Sequence, residues 1–212
     1  PFYVMEYVAH DSLEKIIDQN IFPQKLPTLV NLFRQCLEAL AHIHSLNIVH
    51  LDVKEGNLLV DIRNPDSPAI KLSDFGLCKI LIRDDIETNV RGTWTYWPKA
   101  WQDKLHGLIP SNANRVLIRL ARKDIPLDVD LHMLSVTFQR ILDRVFVGED
   151  ESYWHRALSV ILERMNWDEH RRSLRSEKYQ TASAVLSDLL ALERVPSLPP
   201  PLDEGGGLRV PV

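Results

Sequence analysis

The sequence has little cysteine and no long hydrophobic run, and both features narrow the class of protein. Its two cysteines, Cys36 and Cys78, lie in apolar surroundings and at no metal-ligand spacing. We therefore expect reduced thiols instead of a disulfide or a zinc site, which favours a reducing, cytoplasmic compartment. No apolar stretch is long enough to span a bilayer, and no basic segment followed by an apolar one forms a leader.

A large excess of one charge is also missing. The net charge of -4 argues against non-specific binding to nucleic acid or to anionic membranes. With 212 residues, 45% of them hydrophobic and 25% charged, the chain has the composition of one soluble globular domain with a core. It starts at Pro1 without a methionine, and its first residues are strand-like, so we expect a piece of a longer protein.

Two polar stretches stand at the outer ends of a predicted β-hairpin. The first is residues 50–57, with the sequence HLDVKEGN, and the second is Asp74-Phe75-Gly76. Between them, the apolar runs 58–61 and 70–72 flank the polar residues 64–67. Short apolar runs separated by turn residues predict two strands joined by a turn.

Such a hairpin would bring three oxygen-bearing side chains into one cleft. Asn57 and Asp74 stand at the two ends of the hairpin, and Asp52 precedes the first strand. Lys54 lies beside them in the sequence. Carboxylate and amide oxygens together with a lysine suit magnesium and a phosphate ester.

The two stretches resemble the catalytic loop, H-R-D-x-K-x-x-N, and the metal-binding loop, D-F-G, of the eukaryotic-like protein kinases. D-F-G alone is a weak signal. The longer motif alone is moderately specific, because small-molecule phosphotransferases carry a similar H-x-D-x-x-x-x-N, but the pair at hairpin spacing is specific. Residues 92–99, GTWTYWPK, resemble the G-T-x-x-Y-x-A-P-E of the same family. The resemblance covers residues 2–194 and implies an α+β, mainly α-helical fold. That fold is the C-terminal large lobe of a serine/threonine kinase, with the short hairpin carrying both loops.

The resemblance implies a role for each residue of the cleft. Asp52 would accept the proton of the attacking hydroxyl group, and Lys54 would neutralise charge on the phosphoryl group transferred from ATP. Thr93 would steady both of these side chains. Asn57 and Asp74 would bind Mg²⁺. A lysine two positions after the aspartate is typical of kinases that act on serine and threonine.

The family also implies a nucleotide site at the start of the chain. Residues 2–5 would end the last small-lobe strand, with Met5 at the back of the pocket. The backbone groups of Glu6 and Val8 would bond the adenine edge, and Leu59 would form the floor beneath the adenine.

Hydrophobic periodicity predicts the helices of the large lobe. Asp11 is the expected cap of a first, short helix. Apolar residues at helical spacing predict a central helix over 29–40. Asp130 opens a buried helix and, by resemblance, caps the backbone of the catalytic loop, with Asp128 as the alternative. Two further amphipathic segments predict helices at 154–165 and 182–190.

Three positions depart from the family pattern. Leu51 replaces the arginine that, in the family, binds a phosphate group carried by the activation loop. That loop corresponds to residues 77–91 here. A leucine makes no charge-assisted bond, so we expect hydrophobic packing and no switching by phosphorylation there. Lys99 and Tyr179 replace both partners of a buried ion pair. Losing both can be nearly neutral, which favours a re-packed fold.

No glycine-rich phosphate loop and no V-A-I-K strand precede Tyr3. The expected organisation is therefore hinge (1–10), large lobe (11–195) and a flexible Pro/Gly-rich tail (196–212), with the small lobe supplied upstream or by a separate chain. The expected function is ATP-dependent phosphoryl transfer to protein serine and threonine hydroxyls. Two alternatives stay open: a pseudokinase or scaffold, and a small-molecule phosphotransferase. The tryptophans are either core residues or a substrate platform, at positions 94, 97 and 101.

Overall fold

A computed structural model of the protein describes residues 5–22, 25–81, 87–103, 116–121, 124–146, 153–168 and 178–193. Three predictions lie wholly or partly outside these ranges: the strand residues 2–4, residues 82–86 of the activation loop, and the tail from 196. Met5 is described, and it does not belong to a strand.

The described chain is mainly helical, as predicted. In chain order its helices are α1 (Leu13–Asp18), α2 (Leu26–Ser45), α3 (Lys99–Asp103), α4 (Val129–Val145), α5 (Tyr153–Met165) and α6 (Ala182–Glu193). None of the helices in the described ranges is long and apolar enough to cross a membrane.

The longest helix, α2, lies at the centre of the core. Its predicted apolar face is buried, at Leu29, Leu32, Phe33, Cys36, Leu37 and Leu40. The helix begins earlier than the pattern indicated, at Leu26, with Pro27 in its first turn. Proline is tolerated there because its missing N–H would have no partner within the helix. Helix α2 packs against α6, α5 and the hairpin, so it supports the loops at the hairpin ends.

The first helix is capped by Ser12, so the prediction of an Asp11 cap is wrong. Ser12 Oγ accepts a hydrogen bond from the Lys15 amide at 3.5 Å. The Asp11 carboxylate accepts the Ser12 amide at 2.8 Å and pairs with the Lys15 ammonium at 2.7 Å. Both residues suit a cap chemically, and only the backbone geometry decides between them.

The strands of the described chain form antiparallel pairs. They are β1 (Ile48–Val49), β2 (Leu58–Asp61), β3 (Ala69–Leu72), β4 (Lys79–Ile80), β5 (Glu87–Gly92) and β6 (Val116–Ala121). Strand β1 pairs with β4, β2 with β3, and β5 with β6. Residues 77–91, predicted as a loop, thus contain β4 and most of β5, because each finds a partner strand distant in sequence.

A tyrosine network stands where the family has its buried ion pair. Tyr179 is buried, and its hydroxyl donates to Asp188 at 2.6 Å. Arg164 donates to the Tyr179 oxygen at 2.9 Å and to Asp188 at 3.0 Å, while its guanidinium lies over the Tyr179 ring. Lys99 is exposed and bonds Asp103 within α3. The two departures from the family are therefore accommodated separately, and this part of the fold is re-packed.

Candidate active site

The buried carboxylate of Asp130 holds the start of the catalytic loop, residues 50–57. It accepts the backbone amides of His50 at 2.7 Å and Leu51 at 2.9 Å. His44 Nε2 lies 3.0 Å from the same carboxylate. Asp130 on α4 is therefore the capping residue, as expected, and Asp128 is not. The contact with His44, on α2, was not visible in the sequence.

Leu51 packs into the core beneath this loop. Its side chain is 0% exposed, which confirms the expectation of hydrophobic packing. Its backbone has φ 69°, in the left-handed region. A branched residue in this conformation costs roughly 1–3 kcal/mol, so the surrounding structure must offset the strain.

Four side chains of the predicted site meet around Asp52. Thr93 donates to Asp52 Oδ1 through its backbone amide at 3.1 Å and through its hydroxyl at 3.0 Å. Lys54 Nζ donates to Thr93 Oγ1 at 2.7 Å and lies 3.1 Å from Asp52 Oδ2. Asn57 Nδ2 donates to Asp52 Oδ2 at 2.9 Å. The structure thus brings Asp52, Lys54, Asn57 and Thr93 together, although Thr93 is distant from the loop in sequence.

The surroundings of Asp52 keep its carboxylate ionised. Burial by itself would raise the pKa of Asp52. The hydrogen bond and charge of Lys54, together with the two hydrogen bonds from Thr93, outweigh burial and lower the pKa below its ordinary value. An ionised carboxylate can orient a hydroxyl group and accept its proton.

Asn57 and Asp74 lie at the joined end of the hairpin. Leu58 pairs with Leu72, which places Asn57 opposite Ser73. The amide and hydroxyl of Ser73 both donate to the Asn57 carbonyl, each at 2.9 Å. The register therefore brings Asp74, the next residue, to the same end of the hairpin as Asn57.

These two residues have oxygens suited to a magnesium ion. The Asn57 amide nitrogen donates to both the backbone and the side chain of Asp52, which leaves its amide oxygen to face a cation. Asp74 is exposed in a left-handed conformation, and its carboxylate accepts the Gly76 amide at 3.4 Å. Among the described residues, no cluster of three His, Cys, Asp or Glu side chains could hold a metal. A pair of oxygen ligands fits Mg²⁺ shared with phosphates and water.

His50 couples the catalytic loop to the Asp74 turn, a role that the sequence analysis missed. Its Nε2 lies 2.9 Å from the Ser73 carbonyl oxygen. Its ring meets Phe75 edge to face, with 5.0 Å between ring centroids. Because His50 is fully buried, it positions the two loops relative to each other.

Of the residues expected to bind the nucleotide, the hairpin brings Leu59 and Glu6 near each other. Leu59 is directly opposite Lys71 in the register, so both side chains point to the same face. The Lys71 ammonium is 2.8 Å from the Glu6 carboxylate. The segment carrying Glu6 and Val8 therefore runs past Leu59. Met5 is 74% exposed, and its place in a pocket stays a prediction.

A second cluster, also missed by the sequence analysis, ties the catalytic loop to the Trp94–Tyr96 turn. The Tyr96 hydroxyl donates to Glu55 at 2.5 Å, and the Arg140 guanidinium lies 4.3 Å from the Tyr96 ring centroid. Burial raises the pKa of Glu55 and, with the Glu55 hydrogen bond, that of Tyr96. The feature of the sequence that could have indicated this cluster is Glu55, which directly follows Lys54.

A cleft of about 290 Å³ opens beside this cluster. It is lined by Lys54 and Thr93 of the Asp52 cluster, together with Glu14, Gly56, Trp94, Thr95 and Tyr96. Trp97 and Trp101 instead pack edge to face in the core, 5.7 Å apart. Core packing thus accounts for two of the three tryptophans, while Trp94 borders the cleft.

Comparison with known proteins shows which family part of the chain resembles. The model of the protein kinase domain matches residues 2–103, which contain the Asp52 cluster, the hairpin and Thr93. Through these residues, the chain is similar to the eukaryotic-like protein kinases. The resemblance drawn from the two loop motifs is therefore confirmed.

Similar curated proteins are named as protein kinases, two of the following three as serine/threonine-protein kinases. The mouse serine/threonine-protein kinase DCLK3 is 39% identical over 109 residues, covering 50% of this chain and 13% of its own length. The Caenorhabditis elegans serine/threonine-protein kinase nekl-2 is 39% identical over 103 residues, covering 44% of this chain and 28% of its own length. Mitogen-activated protein kinase kinase kinase 5 of Arabidopsis thaliana is 29% identical over 136 residues, covering 64% of this chain and 17% of its own length. The chain thus spans a minor part of each of these relatives.

Proposed function

We propose that the protein transfers the γ-phosphoryl group of ATP to serine and threonine hydroxyls of other proteins. The observation that carries this proposal is the cluster around Asp52, in which Lys54 and Thr93 contact the carboxylate and each other. Names of similar proteins support phosphoryl transfer by a kinase. In this reading, residues 11–195 form the large lobe, 1–10 the hinge and 196–212 a tail.

Each residue of the cluster has a distinct task in the proposed reaction. Asp52 orients the substrate hydroxyl and accepts its proton, since its lowered pKa keeps it ionised at neutral pH. Lys54 places a positive charge where the transferring phosphoryl group gains negative charge. Thr93 fixes the carboxylate by two hydrogen bonds, so that little reorganisation is needed during transfer.

Asn57 and Asp74 would hold Mg²⁺ at the closed end of the hairpin. Magnesium bound there would neutralise the negative charge of the phosphates. The adenine would lie on the Leu59 face of the hairpin, bonded by the backbone of Glu6 and Val8, with Met5 behind it. The opposite wall belongs to a small lobe, encoded upstream or carried by a second chain.

A protein substrate is favoured over a small molecule. The cleft beside Lys54 and Thr93 is also lined by Trp94, Thr95 and Tyr96, and such an aromatic wall suits a peptide segment. A pseudokinase or scaffold is the second candidate, favoured by the uncharged Leu51 at the family's arginine position. The free thiols of Cys36 and Cys78 support a cytoplasmic location.

Two substitutions in the natural full-length protein test the proposal. Asp52→Asn should leave ATP binding nearly intact while lowering the rate of transfer by about 10²–10⁴-fold, the range for a positioned acid–base group. Asp74→Ala should instead abolish magnesium-dependent ATP binding, because a metal ligand is lost. Radiolabel transfer to protein and nucleotide titration measure the two effects.

Asp66→Asn on the exposed hairpin turn is the matched control and should change neither quantity. Unchanged transfer in the Asp52 variant would overturn the proposed chemistry. ATP binding without any transfer by the unsubstituted protein would favour the pseudokinase.

A further inference from the structure

We propose that β6 is a positioning strand, which holds Thr93 against Asp52 without a phosphate on the activation segment. The inference rests on the proposed function for its effect on catalysis, whereas the positioning itself is independent of it. Strand β6 lies beyond the residues matched by the kinase model, which end at 103. A segment outside the recognised family region thus acts on the active site.

The pairing of β5 with β6 ends immediately before Thr93. Six residue pairs connect the two strands, from Glu87 with Ala121 to Gly92 with Val116. Strand β5 also contacts the Phe75–Leu77 turn that follows Asp74. The paired strand therefore reaches both loops of the proposed site, and a rigid β5 restricts the position of Thr93.

Close backbone packing transmits this restriction to the catalytic loop. A Cβ at Gly92 would lie 2.8 Å from the Leu51 carbonyl oxygen and 2.7 Å from Trp97 Nε1. Gly92, the last residue of β5, thus packs closely against both the catalytic loop and the core residue Trp97. On the other side of Thr93, Tyr96 is bonded to Glu55. Thr93 is held from both directions along the chain.

The strand pair is anchored in the core by apolar side chains. Val90 on β5 and Leu120 on β6 are both buried, at 0% and 7% exposure. Leu51 stands at the position where the family has its phosphate-binding arginine, and it is buried and uncharged. Leu51 cannot form a charge-assisted bond with a phosphate. Strand pairing and apolar burial therefore hold residues 87–92 in its place.

Leu120→Ala in the natural full-length protein tests the positioning role. Removing the anchor should speed hydrogen exchange of the backbone amides of residues 87–92. It should also lower kcat by about tenfold, less than the loss of an acid–base group, with KM for ATP unchanged. Leu120→Met, which conserves volume, should restore both quantities.

Leu189→Ala is the matched control, because Leu189 is also a buried leucine, 1% exposed, but lies on α6. It should lower the unfolding midpoint comparably, without altering exchange at 87–92 or kcat. Equal effects of the two alanine substitutions on kcat and on exchange would overturn the proposal, since β6 would then contribute stability only.

A pair of proline substitutions covers the case in which Leu120→Ala does not fold. The N–H groups of successive residues in an antiparallel strand point alternately toward and away from the partner. Leu117→Pro and Ile118→Pro therefore differ, because only one removes a donor to β5. If hydrogen exchange of the backbone amides of residues 87–92 differs between the two proline variants, the result supports β6 as a positioning strand. Identical exchange in the two variants overturns the proposal. If the protein transfers no phosphate, the exchange measurements still decide, separately from the proposed function.

Discussion

At the scale of single residues, Leu51 affects the stability of the active-site loop in two opposite ways. It is fully buried and has φ 69°, so its side chain stabilises the loop from the core side while its backbone is strained. Burial of a leucine contributes about 1.5–3 kcal/mol, comparable with the roughly 1–3 kcal/mol cost of the strain. The loop conformation is therefore maintained by its packing and by Asp130.

Leu51→Arg should destabilise the protein and should not recreate a phosphate-responsive arginine. An unpaired charge would enter a fully buried position, lowering the free energy of unfolding by more than about 2 kcal/mol. Leu46→Arg, at the exposed end of α2, should change it by less than about 0.5 kcal/mol. Urea unfolding of both variants measures the difference, and equal values would contradict the burial argument.

Asp128, beside the capping Asp130, makes stability depend on pH. Burial raises the pKa of Asp128 to about 6. Between its unfolded value near 3.8 and about 6, the folded state binds more protons than the unfolded state. The contribution of Asp128 to stability is therefore present at low pH and is lost as pH rises through this window.

Asp128→Asn should accordingly gain stability relative to the unsubstituted protein as pH rises from about 4 to 7. We expect about 1 kcal/mol, because partial exposure reduces the full 1.4 kcal/mol per pKa unit. The variant isolates Asp128 from His132, whose pKa burial lowers to about 4 and whose effect has the opposite sign. Thermal unfolding across this range provides the test; a difference independent of pH would show that Asp128 is not the group responsible.

At the scale of elements, the network of Arg164, Tyr179 and Asp188 joins α5 to α6. The tyrosine hydroxyl both accepts from Arg164 and donates to Asp188. Hydrogen bonds to charged groups contribute more than neutral ones. The network therefore connects the two C-terminal helices without the buried ion pair of the family.

Tyr179→Phe should weaken this connection by about 1.5–3 kcal/mol, the value of hydrogen bonds to charged groups. The ring, and thus its contact with the Arg164 guanidinium, is retained. Tyr153→Phe, a half-exposed tyrosine at the start of α5, is the matched control and should be nearly neutral. Unfolding free energies are compared, and a neutral Tyr179→Phe would mean that ring packing alone holds the helices.

At the scale of the whole molecule, α2 and α4 assemble the site from distant parts of the chain. Helix α4 supplies Asp130 under the catalytic loop, while α2 supports β3 and supplies His44. Under the proposed function, residues 1–212 would provide one wall of the nucleotide cleft and would leave the adenine and triphosphate partly solvated.

Residues 1–212 alone should fold around α2 and α4 but bind ATP weakly. We expect a dissociation constant in the millimolar range, corresponding to about 4 kcal/mol, and no measurable transfer. Titration calorimetry and a transfer assay check both, with the Asp74→Ala variant as the control for magnesium-dependent binding. Micromolar affinity, or turnover without an added small lobe, would contradict the half-site.

The sequence alone determined the local chemistry. The catalytic loop, the hairpin and the apolar faces of α2 and α4 were predictable, because each depends on residues a few positions apart. Thr93 was assigned by resemblance, and its three contacts with Asp52 and Lys54 agree with that placement.

Only the tertiary structure decided the contacts between distant segments. It selected Asp130 over Asp128 as the cap of the catalytic loop and Ser12 over Asp11 as the cap of α1. Both residues of each pair suit a cap chemically, and the direction of the backbone amides decides between them. It also paired β5 with β6 and joined Tyr96 to Glu55 and Tyr179 to Asp188. Such contacts depend on the packing of whole helices and strands, which leaves no local periodicity in the sequence.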